Sequence, residues 1–250
     1  MLRKRLLVTA GDARVGKSTV ARLLLDLLLE KQISVRAYYN GNRNKLAPYQ
    51  KIENLGVEEL QLSRGGADNL LIDLESLPDL AVVLTDLPGQ HLSAFKFFVE
   101  EFLLFDTLAS LGYRMTVIHP ISHRRDCVEY LQELCNFCGD NVDYVVIKNN
   151  YFDTHFPYYD SSQTRSSIQD LGTIEVNLSN LSLFVYQQCE DCGLPYSQVI
   201  SDLKVNTFYR HLLFNWMESF YHQFALDPKA SDYLGLNWQN YSSTASESSF

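Results

Sequence analysis

The sequence has no apolar run long enough to cross a bilayer. Its longest apolar stretch, Val20 to Leu29, is interrupted by Arg22 and Asp26 and falls well short of the roughly 20 residues that a spanning helix needs. The basic start Arg3-Lys4-Arg5 runs straight into a short strand pattern, without the apolar helix and small-residue cleavage site of a signal peptide. No membrane segment is expected, and the expected location is cytoplasmic. Cysteines are few and odd in number: Cys127, Cys135, Cys138, Cys189 and Cys192. That count fits reduced thiols better than a disulfide framework. The two C-x-x-C pairs, Cys135/Cys138 and Cys189/Cys192, could supply four thiolates to zinc. They stand much farther apart than the roughly 15–20 residues of compact zinc modules, and Cys135 and Cys138 continue the apolar spacing of Val128, Leu131 and Leu134. Positive charge is also scarce. Lys and Arg number 21 against 30 Asp and Glu, a formal net charge of −9. This argues against a nucleic-acid binder that works by overall charge, while leaving room for a local basic patch.

What is present is the composition of a folded soluble protein. With 46% hydrophobic and 20% charged residues, disorder is excluded for most of the chain. A length of 250 residues suits one α/β domain or two small ones. No internal repeat or clear linker divides it. Short apolar runs alternate with helical patterns. Strands are expected at 6–10, 33–39, 81–85, 113–118, 143–147 and 173–176, and helices at 18–31, 67–77, 95–111, 125–137, 181–189 and 196–224. Stretches 40–50 and 150–163 read as loops, the second rich in aromatics. The Ser- and Asn-rich stretch 237–250 reads as a mobile tail, leaving 1–236 as a single domain. Alternating strands and helices predict one doubly wound α/β domain, a mostly parallel sheet with helices on both faces.

Three motifs carry chemistry. Gly11-Asp12-Ala13-Arg14-Val15-Gly16-Lys17-Ser18 matches G-x-x-x-x-G-K-[ST], with a strand before it and a helix after it. Glycine lets the backbone turn and aim N–H groups at phosphate oxygens, and the following helix adds its positive end. Lys17 is expected to reach the terminal phosphates and the Ser18 hydroxyl to bind Mg²⁺; Thr19 belongs to the same phosphate-binding turn. The second motif is Leu84-Thr85-Asp86-Leu87-Pro88-Gly89-Gln90. A carboxylate at the end of a buried strand needs a partner, and beside a phosphate loop the natural one is the Mg²⁺ shell. Gly89 could then offer its N–H to a γ-phosphate, and Gln90 could orient water or be a solvated turn residue. The third is Val145-Val146-Ile147-Lys148-Asn149-Asn150, ending where an open α/β sheet presents ligand contacts. Asn149 can pair with the edge of adenine or serve as a turn residue. Lys148 is either a phosphate contact or a solvated strand-end lysine. No N-K-x-D follows this strand, so guanine specificity has no support.

In this order the motifs resemble the ParA/MinD-type P-loop ATPases of the SIMIBI class, over roughly residues 1–225. The layout is also similar to the TraL/MobD-like ATPases encoded with plasmid transfer genes, through Thr116-Val117-Ile118-His119 and Tyr144 to Phe152. The resemblance implies an ATP-sandwich homodimer formed on ATP·Mg²⁺ and released by hydrolysis. It also implies an adaptor or cargo protein and a role in positioning or partitioning.

Two departures from that pattern matter. Where the family's P-loop carries a lysine that reaches the partner's phosphates, this chain has Asp12, with Ala13 and Arg14 in place of glycines. A carboxylate facing a triphosphate would repel it. Either Arg14, Lys148, Arg124 or Arg125 substitutes, or the sandwich is lost; carboxysome-positioning relatives lack that lysine too. After the second strand the family has D-x-D, and here stands Asn40-Gly41-Asn42. Asn42 can hold water but cannot take its proton, which predicts slow hydrolysis or a nucleotide-bound switch that needs a partner. Two other readings stay open. A dethiobiotin-synthetase-like ligase shares Asp after the first glycine but would need a lysine within 36–40, which is missing. A scaffold with decayed hydrolysis is favoured by Asp12 and Asn42 and opposed by Lys17 and Asp86. Nonspecific DNA binding could use Lys204, Arg210 and His211, although Asp202 and Glu218 make that helix a mixed face. His119 and His123 have no nucleophile spaced beside them and read as structural. The aromatic loop 151–159 is either packed or a partner surface.

Overall fold

The computed structural model describes residues 4–40, 44–62 and 68–236. Seven strands form one sheet: β1 (Lys4–Thr9), β2 (Val35–Tyr39), β3 (Val57–Glu59), β4 (Val82–Asp86), β5 (Tyr113–Ile121), β6 (Val142–Asn149) and β7 (Ile174–Leu178). Their order is β3-β2-β4-β1-β5-β6-β7 and every pairing is parallel. The chain moves outward from β1 in one direction through β2 and from β5 in the other through β6. The order therefore reverses at the centre, and ligand crevices form at the carboxyl ends of strands at such a point.

Strands buried on both faces read as continuous apolar runs, yet side-chain alternation still sorts them. Leu7, Val82, Leu84, Ile118, Val145 and Ile147 pack on one face with α1 (Lys17–Glu30) and the C-terminal helices. Leu6, Val8, Val83, Met115, Val117 and Tyr144 pack on the other with α2 (Asp68–Ser76), α3 (Leu92–Glu101) and α4 (Leu104–Ser110). A third cluster joins Val15 to α5 (Arg125–Cys138), to the short α6 (Pro157–Asp160) and to α7 (Gln163–Asp170). The C-terminal layer consists of α8 (Leu183–Cys192), α9 (Tyr196–Ser201), α10 (Thr207–Leu226) and α11 (Ala230–Leu234). The doubly wound expectation holds, with all strands of the described residues parallel.

Two expected helices are broken. The stretch 95–111 divides at Leu103, which takes φ 44° and precedes α4. Val99 and Leu104 are both buried. Five residues of unbroken helix would set them about 140° apart, so the break returns both to the sheet. The stretch 196–224 divides likewise between buried Val199 and Val205, and the Asn206 side chain restarts the helix by accepting from the Phe208 N–H. Three elements have no expectation above. Strand β3 is short, charged and at the sheet edge, which is how edges are protected. Helix α7 is polar and buries only Thr164 and Ile168, though its Ser162 cap, accepting from the Arg165 N–H, was readable. Helix α11 is one short turn ended by Gly235. Strand β5 also runs on past 118 through His119 and Pro120.

The stretch 237–250 and Asn42 lie outside the described residues. Cys135 and Cys138 sit on α5, Cys189 and Cys192 on α8, and the two pairs pack into different clusters. Among the described residues no three His, Cys, Asp or Glu side chains gather at one point. No helix of the described residues is long and apolar enough to cross a membrane.

Candidate functional site

Loop 10–16 follows β1 and turns into α1 at Gly16, which takes φ 97°. A side chain there would meet backbone strain and also Asn149 Nδ2 at 2.6 Å. Behind the loop, Gly11 passes so close to β5 that an added Cβ would lie 3.3 Å from His119 Cε1. The loop therefore runs in a slot between β5 and the end of β6.

Lys17 and Asp86 face each other from α1 and β4, and both are buried. The Lys17 ammonium donates to the carbonyl oxygens of Gly11 (3.2 Å) and Asp12 (2.6 Å). Burial lowers its pKa, while Asp86 and Asp12 pull it back up. Thr9 and Asp86 are register partners at the ends of β1 and β4, so the Thr9 hydroxyl donates to Asp86 Oδ1 at 3.0 Å. The Ser18 hydroxyl bonds the same carboxylate. Burial raises the Asp86 pKa, opposed by Ser18, Thr9 and Lys17. One buried carboxylate beside a helix-start hydroxyl is a hard-oxygen donor set that fits Mg²⁺ sharing phosphate oxygens. A cation there would favour the charged carboxylate.

Asp12 behaves differently from a carboxylate aimed at phosphate. Its Oδ1 accepts from the Ala13 N–H at 2.7 Å and from Gln90 Nε2 at 3.3 Å. Its Oδ2 pairs with Arg124 at 2.7 Å, and Arg124 also donates to the Ala13 carbonyl at 2.8 Å. Neither Asp12 nor Arg124 lines the cavity described below. The charge that looked repulsive in the sequence is neutralised behind the loop. It ties the loop to the turn after β4 and to the β5–α5 junction. At the same turn Gly89 lies against the loop, so a Cβ would come 2.6 Å from Ala13 Cα.

A cavity of about 690 Å³ opens beside Lys17, Ser18 and Asp86, a size suited to one small ligand. Its lining also includes Arg14, Gly16, Thr19, Asn40, Lys45 and Gly89. Apolar and aromatic residues line it too: Tyr151 and Phe152 from the loop after β6, Leu178 from β7, Tyr186 from α8 and Trp216 from α10. Trp216 Nε1 donates to the Ser179 carbonyl at 2.7 Å, and the Tyr186 and Thr19 hydroxyls meet at 3.3 Å. Interior charges hold this layer in place. Arg22 pairs with Glu190 and stacks 4.1 Å from the Tyr196 ring centroid. Asp26 accepts from Tyr49 (2.6 Å) and from the Ser197 hydroxyl (2.5 Å).

The structure thus gathers Arg14, Gly16, Lys17, Ser18, Thr19, Asp86, Gly89 and Asn149 around one cavity, with Gly11, Asp12, Ala13 and Val15 forming the loop behind them. Asn149 is buried, and its amide donates to the Val15 carbonyl (2.9 Å) while its oxygen accepts from the Tyr151 N–H (3.1 Å). Gln90 takes φ 63° and turns its amide to Asp12. Lys148 is not brought to the loop: it pairs with Asp160 (2.7 Å) and Glu175 (3.6 Å). The aromatic loop divides, with Tyr151 and Phe152 exposed at the cavity and Phe156 and Tyr159 buried under α5. Lys45, Tyr186 and Trp216 were not singled out from the sequence. No spacing signals them, because Tyr186 and Trp216 reach the cavity through the packing of the C-terminal layer and Lys45 through the loop after β2.

No family model matches the chain, and no curated protein matches it. Solved structures do share its fold. The MinD cell division protein of Aquifex aeolicus is similar at TM-score 0.51 and 12% identity, over 88% of this chain and 97% of that one. A chain of the MinC:MinD cell division protein complex of Aquifex aeolicus aligns at TM-score 0.51 and 10% identity, over 88% and 96%. A point variant of Cyanothece McdA in complex with ATP aligns at TM-score 0.50 and 13% identity, over 94% and 98%. The chain therefore has the MinD/ParA-like P-loop α/β fold.

Proposed function

We propose that the chain binds ATP with Mg²⁺ and works as a slow nucleotide-dependent switch of the ParA/MinD type. ATP-driven self-association is its output, and it positions a partner or cargo, with plasmid maintenance or transfer among the uses of such a switch. The observation that carries this reading is the convergence of buried Lys17 and Asp86 with the Ser18 hydroxyl on a cavity that aromatic side chains also line. That combination suits a nucleotide, whose phosphates need charge and hydroxyl partners and whose flat base packs on aromatic rings. In support, one protein of the same fold is in complex with ATP and another with a protein partner, MinC.

Lys17 and the N-terminal end of α1 would hold the phosphate chain, and Ser18 and Asp86 would hold the metal. Bound Mg²⁺ supplies neutralisation of charge on the phosphate oxygens. Slow hydrolysis follows from what faces the cavity. Among its described lining residues only Asp86 is acidic and none is histidine, and Asp86 is committed to Ser18 and Thr9. Asn40 can hold water without taking its proton.

The test is calorimetric titration of ATP with Mg²⁺ or with EDTA, on the wild type and on Lys17→Ala, together with light scattering to follow mass. Mg²⁺-dependent binding that Lys17→Ala abolishes, with a doubling of mass on ATP, is the expected result. Equally weak binding by both proteins would favour the scaffold reading. Turnover at the rate of a metabolic kinase would defeat the switch.

A further inference from the structure

Arg14 has φ 63°, a left-handed backbone that glycine adopts freely and arginine rarely does. It is exposed and lines the cavity. The neighbouring cations are engaged. Arg124 holds Asp12 and the Ala13 carbonyl, and Arg125 pairs with Glu129 at 2.9 Å. Lys148 is held by Asp160 and Glu175, and Lys45 faces Glu190 at 3.5 Å. Lys17 donates to two carbonyls of its own loop. Among the described residues the Arg14 guanidinium makes no hydrogen bond or ion pair.

We propose that Arg14 is a ligand of the phosphate chain, and that it supplies in the same subunit the positive charge that Asp12 cannot. The ligand class is a nucleoside di- or triphosphate, so the inference rests on the nucleotide-binding reading and deepens it. Ala13 packs its backbone against Gly89 and Val15 is buried, so of the residues between Gly11 and Gly16 only Arg14 lines the cavity. A guanidinium carries paired N–H donors in the geometry that two phosphate oxygens accept. The cavity already contains the Asp86 carboxylate within a chain of net charge −9. Of the two ammonium groups among its described lining residues, Lys17 and Lys45, the second already faces Glu190, so a polyphosphate entering there calls for a further cation. A residue with a purely structural role at this φ has no need of a long cation, because glycine meets the backbone requirement without it.

The experiment compares the full-length wild type with Arg14→Gly and Arg14→Lys. Glycine accepts the native φ, so folding is preserved, and the thermal midpoint without ligand should be equal or higher. The readout is the ATP Kd by calorimetry at low and at moderate KCl. Arg14→Gly should weaken ATP at least about tenfold at low salt, the effect of losing one charge-assisted contact. Its Kd should then depend less on salt than that of the wild type, since one charge pair is gone. Arg14→Lys should recover part of the affinity and all of the salt dependence. An Arg14→Gly protein with the wild-type Kd overturns the inference and leaves the binding reading intact. So does a weakened Kd with unchanged salt dependence. A wild type that binds no ATP overturns both.

Discussion

Acid should loosen the floor of the phosphate loop through one imidazole. His119 is fully buried on β5, directly under Gly11, and stacks on Tyr130 at 5.7 Å between ring centroids. Its Nε2 lies 3.2 Å from the Cys127 carbonyl, to which it donates. Burial holds its pKa down to about 4, and the nearby Lys17 ammonium pushes the same way. A base with a depressed folded pKa stays neutral in the native chain while the unfolded chain takes up a proton. Its stabilising contribution is complete above the ordinary histidine pKa of about 6.5 and is lost as pH falls from there toward about 4. Linkage gives a loss of about 2 kcal/mol at pH 5 and about 3 kcal/mol at pH 4. Urea unfolding at pH 7.5, 6 and 5 measures this, with His119→Gln as the control that keeps a polar group but cannot titrate. The wild type should lose about 2 kcal/mol more than the variant between pH 7.5 and 5. Parallel losses in the two proteins would refute the reasoning. So would a ¹H–¹⁵N titration of His119 with a midpoint near its ordinary value, a test that needs no variant.

Three further outcomes follow from the site. Gly89→Ala drives a Cβ to 2.6 Å from Ala13 Cα; backbone cannot swing aside, so a loss of about 1–3 kcal/mol is expected in thermal melts. Trp216→Ala removes a buried ring and its bond to the Ser179 carbonyl. It should cost about 3–5 kcal/mol in urea and weaken ATP while leaving inorganic triphosphate binding unchanged, as measured by calorimetry. Asp12→Ala strips Arg124 of its carboxylate partner. Because Arg124 is partly exposed, the expected loss is only about 1–2 kcal/mol, and a double-mutant cycle with Arg124→Ala should return most of it as coupling.

Much of the phosphate end was legible because it is local. A glycine-lined turn, Lys17 and Ser18 are contiguous, and the strand ending at Asp86 is a run that only a buried strand explains. Two such segments on parallel neighbours bring Thr9, Ser18 and Asp86 together with little else specified. Asp12 was misread for the opposite reason. Its sign was plain, but its direction depended on Arg124, more than a hundred residues away on another strand–helix junction. Helices 95–111 and 196–224 were read as continuous because periodicity records which residues are apolar. Where the axis must bend so that Val99 and Leu104 both face the sheet is a matter of packing.

The sequence by itself determined the parallel α/β order, the phosphate loop and its strand-end carboxylate, since backbone turns and buried strands are encoded by neighbouring residues. Only the tertiary structure decided what surrounds them. It assembled the aromatic lining of the cavity from the loop after β6, α8 and α10, with the charges buried on α1 bracing α8 and α9. It also turned Asp12 inward and left Arg14 facing the cavity. The physical reason is that a charge acts through its partners and its solvent exposure, and residues distant in the chain set both.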